Sequence, residues 1–316
     1  MFTIRPYEDA DFDQVVGVWE RSLPLDAVTS GDFVRRVLLD ENLEPGGLLV
    51  AVSNTDRRVA GFALCLVLRH PIENVGLLEH RGFITAFGVD PAFQGKGAGR
   101  GLLEAAEAFF RARNRREIAI APYAPGYFVP GVDKAAYASG LAWLQAHGFE
   151  EFSEGIAMDA MIGTFDLDER LRAKEAHLAT EGITIEPLDF ARLAAFMKFM
   201  ADTMPGDWVE DARRLLGRMA SGEAPPTSIF IATDKGSIVG YCKFDGEHFG
   251  PFGVADSHQG RGLGTVLLAR TLRQMRLEGH HSAFVLWTGE RAAKGVYGRL
   301  GFTISRRFAI LRKKLD

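Results

Sequence analysis

One pattern restricts this chain more than any other: Q-x-x-G-x-G occurs twice, 165 residues apart, each time between a strand-like apolar run and a helix-like one. The first copy is Gln94-x-x-Gly97-x-Gly99, within Phe87–Gly101. The second is Gln259-x-x-Gly262-x-Gly264, within Phe249–Thr265. Behind the second copy, Leu263, Val266, Leu267, Leu268, Leu272 and Met275 recur at helical spacing. Residues without a Cβ let successive N–H groups close on an anion, and the start of a helix adds favourable partial charge. A glycine turn can also serve packing alone. Its repetition behind a matching strand favours an anion-binding device used twice.

The repeat extends well beyond the loops. T-I-R-P at Thr3–Pro6 returns as T-I-E-P at Thr184–Pro187, each before a helix-like segment: Phe12, Val15, Val16, Val18 and Trp19 in one, Leu193, Phe196, Met197 and Met200 in the other. Leu48–Phe62 and Ser228–Tyr241 both read as strand, polar turn, strand. After each loop helix comes a short strand (Ile118–Ala121; Ala283–Trp287), a further helix and a Gly-Phe pair (Gly148-Phe149; Gly301-Phe302). The predicted order in each half is β-α-β-β-β-α-β-α-β. Offsets between matching residues fall from 181 (Pro6 to Pro187) and 179 (Gly61 to Gly240) to 165 at the loops and 153 at the Gly-Phe pairs. Two insertions in the first copy account for this, one including Arg69–Arg81 and the other containing Ala121–Asp133. Respect for element order is what divergent duplicates show. Residues 1–163 are expected to form one domain, 164–182 a charged helical connector, and 183–316 a second domain.

Bulk properties narrow the partners. A chain of 316 residues suits two domains, and 41 acidic against 37 basic side chains give no footprint for nucleic acid or an anionic membrane. The start, M-F-T-I-R-P-Y-E-D, lacks a signal pattern, and no apolar run approaches membrane-spanning length. Cys65 and Cys242 stand singly in apolar runs, which predicts buried reduced thiols in a cytoplasmic protein. Arg111, Arg113, Arg115 and Arg116 read as a solvated helix end, and His280-His281 lack the company a metal needs, so no metal site is expected.

Which anion the loops suit follows by elimination and then by likeness. Neither copy has the G-K-[ST] of a Walker loop, and a dinucleotide fingerprint would need glycine at Arg100 and Thr265. Q-x-x-G-x-G after a strand ending F-G-V, with Ala293-x-x-x-Tyr297-x-x-x-Gly301-Phe302 downstream, resembles the GCN5-related N-acetyltransferase (GNAT) superfamily. The likeness spans the chain as two tandem modules. It implies an α/β fold in which each module is a mixed, mostly antiparallel twisted sheet flanked by helices. It also implies acetyl-CoA as cofactor and an amine, here a small molecule, as acceptor. Backbone N–H groups of Gln259, Gly260, Arg261, Gly262, Leu263, Gly264 and Thr265 would hold its diphosphate, and the backbone of Phe252, Gly253 and Val254 would pair with the pantetheine arm as an added strand. In the first half the same roles fall to Gln94, Gly95, Lys96, Gly97, Ala98, Gly99 and Arg100, and to Phe87 and Val89.

Direct acetyl transfer needs an amine stripped of its proton, a donor for the oxyanion and a proton for the departing thiolate. The likeness assigns the proton to Tyr297, four residues before Gly301, and the oxyanion donor to the Val254 N–H. The equivalent of Tyr297 in the first half is Leu144, beside Trp143, and neither can protonate sulfur. Turnover is therefore expected in the second half, with the first binding acetyl-CoA idly or serving structure. Glu247, just before the F-G-P-F-G-V strand, is the candidate base, with His248 beside it; a solvated strand edge explains either equally well. Asp207 and Trp208, in T-M-P-G-D-W, are the candidate acceptor-binding pair for a cationic substrate.

Overall fold

A computed structural model describes residues 1–315, and they divide into two compact units. Of the described residues, the first unit takes 1–71, 75–155 and those from Arg307 on; the second takes 72–74 and 156–306.

In the first unit the elements are β1 (Phe2–Pro6), α1 (Phe12–Ser22), α2 (Ser30–Phe33), β2 (Leu48–Ser53), β3 (Val59–Leu66), β4 (Arg81–Val89), α3 (Ala98–Arg111), β5 (Glu117–Ile120), β6 (Val132–Asp133) and α4 (Ala138–Ala146). Strands β1 to β5 lie in that order, antiparallel except for the parallel pair β4–β5. One sheet face packs on α3, whose Leu102, Leu103, Ala106 and Phe110 are buried at helical spacing. The other face carries α1 through Val15, Val18 and Trp19.

The strand after α4, β7 (Glu150–Met161), divides between the units, and so does the last strand, β13 (Thr303–Lys314). The second unit contains α5 (Glu169–Thr180), β8 (Ile183–Pro187), α6 (Leu193–Thr203), α7 (Gly206–Ala220), β9 (Ile229–Asp234), β10 (Ser237–Asp245), β11 (His248–Val254), α8 (Leu263–Leu277), β12 (Ser282–Thr288) and α9 (Glu290–Ala292), which runs into a π-helical turn, Ala293–Tyr297. Its sheet runs β8-β9-β10-β11-β12, with β11–β12 the parallel pair, and the 156–161 part of β7 adds antiparallel to β12. Between this sheet and α8 lies a core that includes Phe249, Leu267, Leu272, Tyr297 and Phe302. A second core, with Phe196, Met200, Val209, Leu215 and Tyr241, fills the space between the other face and α6 and α7.

Three sequence expectations need correction. The linear domains 1–163 and 183–316 exchange their last strands: Phe308–Lys314 pair with β5 and β6 in the first unit, and Ile156–Met161 pair with β12 in the second. Burial enforces this, because Ala309 and Leu311 enter the first core while Ile156, Met158 and Ala160 enter the second. The connector is no free linker either, since Leu178 of α5 is buried in the core of the second unit. Finally, β8 and β9 are joined by two helices where one was expected: Pro205 ends the run of α6, and α7 follows with its own buried stripe. Among the described residues no helix is long and apolar enough to cross a membrane.

Candidate active site

In each unit the parallel strand pair opens like a wedge beside the glycine loop. Strand β11 is bridged to β12 at one position, His248↔Phe284, and continues to Val254 with its other edge held by β10 through Cys242↔Phe252, Tyr241↔Gly253 and Gly240↔Val254. Along Phe252, Gly253 and Val254 the β12-facing edge is therefore open to an extended ligand. Strand β4 parts from β5 after Ile84↔Ile120, leaving Phe87 and Val89 beyond the last bridge.

The two loops are built alike. Gly95 and Gly97 (φ +72° and +96°) match Gly260 and Gly262 (φ +77° and +82°), left-handed conformations that glycine adopts without strain. Gly97 and Gly262 are the N-cap residues of α3 and α8. Backbone N–H groups from Gly95 to Arg100, and from Gly260 to Gly264, make no backbone hydrogen bond among the described residues, whereas those of Gln259 and Thr265, expected in the same cradle, are taken by the Asp256 and Gly262 carbonyls because they lie in the turns that flank it. An anion is the partner such a cluster lacks. The glutamine has a role that spacing alone did not show. Gln259 Nε2 donates to the Val254 carbonyl (3.2 Å) and to Asp256 Oδ1 (2.8 Å), and Gln94 Nε2 donates to the Val89 carbonyl (3.0 Å), so each side chain ties its loop to the end of the open strand.

Tyr297 lies at this open end. Its ring is 4% exposed and meets Phe252 edge-on at 5.7 Å, with Phe249 and Phe302 on other sides. Burial pushes the phenol well above its usual pKa, so it keeps its proton at any physiological pH. Tyr297 is thus a core aromatic that keeps its phenolic proton. Leu144, its counterpart, is buried in the core of the first unit. Beside it Trp143 stacks on Phe87 (5.8 Å), and a Cβ at Gly99 would sit 3.6 Å from its indole.

From the other face, α7 brings Trp208 against the same strand: a Cβ at Gly253 would lie 3.6 Å from its ring and would overlap the Met204 sulfur. Asp207, in the first turn of α7, is raised in pKa by burial. Nearby, buried Lys243 pairs with Asp211 at 2.7 Å, and the Tyr241 hydroxyl is buried with no hydrogen-bond partner among the described residues. His248 stacks on Phe284 at 5.1 Å; burial, with Lys243 adding, lowers its pKa to about 4. The structure does not bring Glu247 to this place. It lies exposed in the turn before β11, where its carbonyl accepts from the Phe284 N–H, five residues or about 16 Å of strand from Phe252.

The corresponding face of the first unit is filled. Phe128, from the Ala121–Asp133 insertion, meets Trp19 at 4.9 Å, and the Arg36 guanidinium lies 4.1 Å above the Phe128 ring.

The sequence matches the acetyltransferase (GNAT) family over residues 16–125 and an acetyltransferase (GNAT) domain over 225–304. The chain belongs to the GNAT family, with two domains in tandem. Solved structures repeat this fold at low identity. A GCN5-related glucosamine N-acetyltransferase region of a fungal multi-domain β-N-acetylglucosaminidase superposes with a TM-score of 0.81 at 17% identity, over 99% of this chain and 38% of that one. This tandem GNAT chain thus spans well under half of that protein. A GCN5-related N-acetyltransferase from Sphaerobacter thermophilus (0.71, 18% identity, 99% and 95% coverage) and a tandem GNAT protein from the clavulanic acid biosynthesis pathway (0.62, 14%, 99% and 98%) match end to end. No curated protein matches the sequence.

Proposed function

We propose that this GNAT protein moves an acetyl group from acetyl-CoA directly to the primary amine of a small molecule, in a ternary complex formed in the second unit. One observation carries the reading: unpaired N–H groups of Gly260–Gly264, the open edge of β11 and the Tyr297 ring converge from one side, while Trp208 reaches the same strand from the other. The residues fit an acyl-CoA, whose diphosphate suits the N–H cluster and whose amide-bearing arm suits an open strand edge. When bound, the donor supplies an activated thioester. The chain's own groups do the rest. The Val254 N–H polarises the reacting carbonyl, and Tyr297 holds a proton for the leaving sulfur. Asp207, with its raised pKa, accepts the ammonium proton better than an exposed carboxylate.

The first unit keeps the loop but has no donor at Leu144, carries Trp143 across its slot and is filled by Phe128 on the acceptor side. It serves as a structural partner, and one donor binds per chain. Buried free thiols at Cys65 and Cys242 accord with a cytoplasmic setting. The test is thiol release from acetyl-CoA across a panel of small primary amines. Release requiring both donor and amine supports the proposal; donor binding without release to any amine replaces it with a CoA-responsive binding protein.

A further inference from the structure

Strands β3 and β10 are built to one register. Gly61 and Phe62 of β3 pair with Val89 and Gly88, and Gly240 and Tyr241 of β10 pair with Val254 and Gly253. The repeat thus puts Phe62 where the second unit has Tyr241 and, two residues on, Leu64 where it has Lys243. All four side chains are buried. Phe62 stacks on Trp19 at 4.7 Å, and nothing polar is asked of it. This face of the fold therefore forms without a hydroxyl or an ammonium.

Lys243 has Asp211 as its partner, but the Tyr241 hydroxyl has none among the described residues. A buried hydroxyl left unpaired costs stability that a phenylalanine would not. The ring lies in the core between the sheet and helices α6 and α7, with Phe196 at 6.0 Å and Trp208 at 6.4 Å. Burial, with the carboxylates of Asp211 and Asp207 near, pushes the phenol up, so it stays neutral. Gly253, directly opposite on β11, is covered from this face by Met204, whose sulfur a Cβ at Gly253 would overlap, and by the Trp208 ring.

We infer that Tyr241 is an acceptor-contacting residue, its hydroxyl meeting the nitrogen of the incoming amine where that nitrogen reaches Gly253 in place of the Met204 side chain. This rests on the acetyltransferase reading above. The hydroxyl oxygen accepts a hydrogen bond from the amine and holds the nitrogen beside the open strand. Met204 is unbranched and flexible, so its side chain swings aside at small cost. Phe62 at the equivalent place accords with a first unit that takes no acceptor. Because the contact is with the amine itself, it does not depend on the rest of the acceptor.

Thiol release from acetyl-CoA with ethanolamine, putrescine and benzylamine, in the full chain and in Tyr241→Phe, tests this. The variant should melt at or above the wild-type temperature, since it loses only an unpaired hydroxyl. For every amine that the wild type acetylates, kcat/KM should fall about tenfold, the scale of one hydrogen bond, while calorimetric affinity for acetyl-CoA stays within about twofold. A residue that merely packs would shift the melt and leave kcat/KM for the amine alone. Values of kcat/KM within about twofold of wild type, or a loss with one amine and none with another, overturn this inference and leave the acetyltransferase reading standing. Acetyl-CoA binding without release to any amine overturns both.

Discussion

Tyr297→Phe removes one oxygen and leaves everything else that holds the ring. Phe249, Phe252 and Phe302 meet the ring edges at 5.4–6.3 Å, and these contacts survive in phenylalanine. The hydroxyl makes no hydrogen bond to the protein among the described residues, so its loss relieves a desolvated polar group. The fold should be unchanged or stabilised by up to about 1 kcal/mol, raising Tm by about 2–4 °C. Activity should move the other way. Proton donation in the transition state contributes about 10²–10⁴-fold, or about 3–5 kcal/mol, and no neighbour replaces it. Thiol release at saturating acetyl-CoA should show kcat down at least about a hundredfold with little change in KM for the donor. The deficit should narrow above a pH of about 8.5, where the leaving thiolate needs less help. A variant that keeps kcat within about threefold, with a melt like the wild type, would show that Tyr297 only packs.

Three further outcomes follow from single residues. His248 stays neutral when folded down to a pH of about 4, against 6.5 when unfolded, so between those values the unfolded chain binds the extra proton and stability falls as pH falls. Denaturant midpoints at pH 7 and pH 5 should reveal a loss of about 2 kcal/mol that His248→Gln lacks, and identical pH profiles would refute the assignment. Gly97→Ala and Gly262→Ala each force a side chain into a left-handed N-cap, costing about 1–2 kcal/mol in a thermal melt. Only Gly262→Ala should also weaken acetyl-CoA binding; equal effects on binding would contradict the division of labour. Asp207→Asn should lower kcat/KM for the amine by about tenfold or more, whereas Glu247→Gln should stay within about twofold, and the reverse ranking would return the base role to Glu247.

What could be read in the sequence was what local chemistry dictates. Glycines at equal spacing, a strand before them and Tyr297 at a fixed distance from Gly301 pointed to one neighbourhood, and the Tyr297 ring does meet Phe252 of that strand. Strand exchange was invisible because Ile156–Ala160 and Phe308–Leu311 are apolar runs of similar kind, and periodicity says nothing about which sheet edge a strand joins. Lys174 stands 88 residues before Gly262 on a helix whose charge pattern looks solvated, so only packing shows what it borders. Trp143 was noticed for lacking a proton; its stacking on Phe87 needed the fold. Glu247 was chosen for being next to the right strand, and the fold adds that it is exposed in the turn before that strand, away from Phe252.

The most direct test of the account is acetyl-CoA stoichiometry with each loop blocked in turn. Gly99 and Gly264 have helical backbones and ordinary contacts where a Cβ would sit, so aspartate at either places a carboxylate by its N–H cluster without backbone strain. Calorimetry should give one acetyl-CoA per chain for the wild type and for Gly99→Asp, and none for Gly264→Asp. Two donors per wild-type chain, or binding lost in Gly99→Asp and kept in Gly264→Asp, would contradict a single donor site in the second unit.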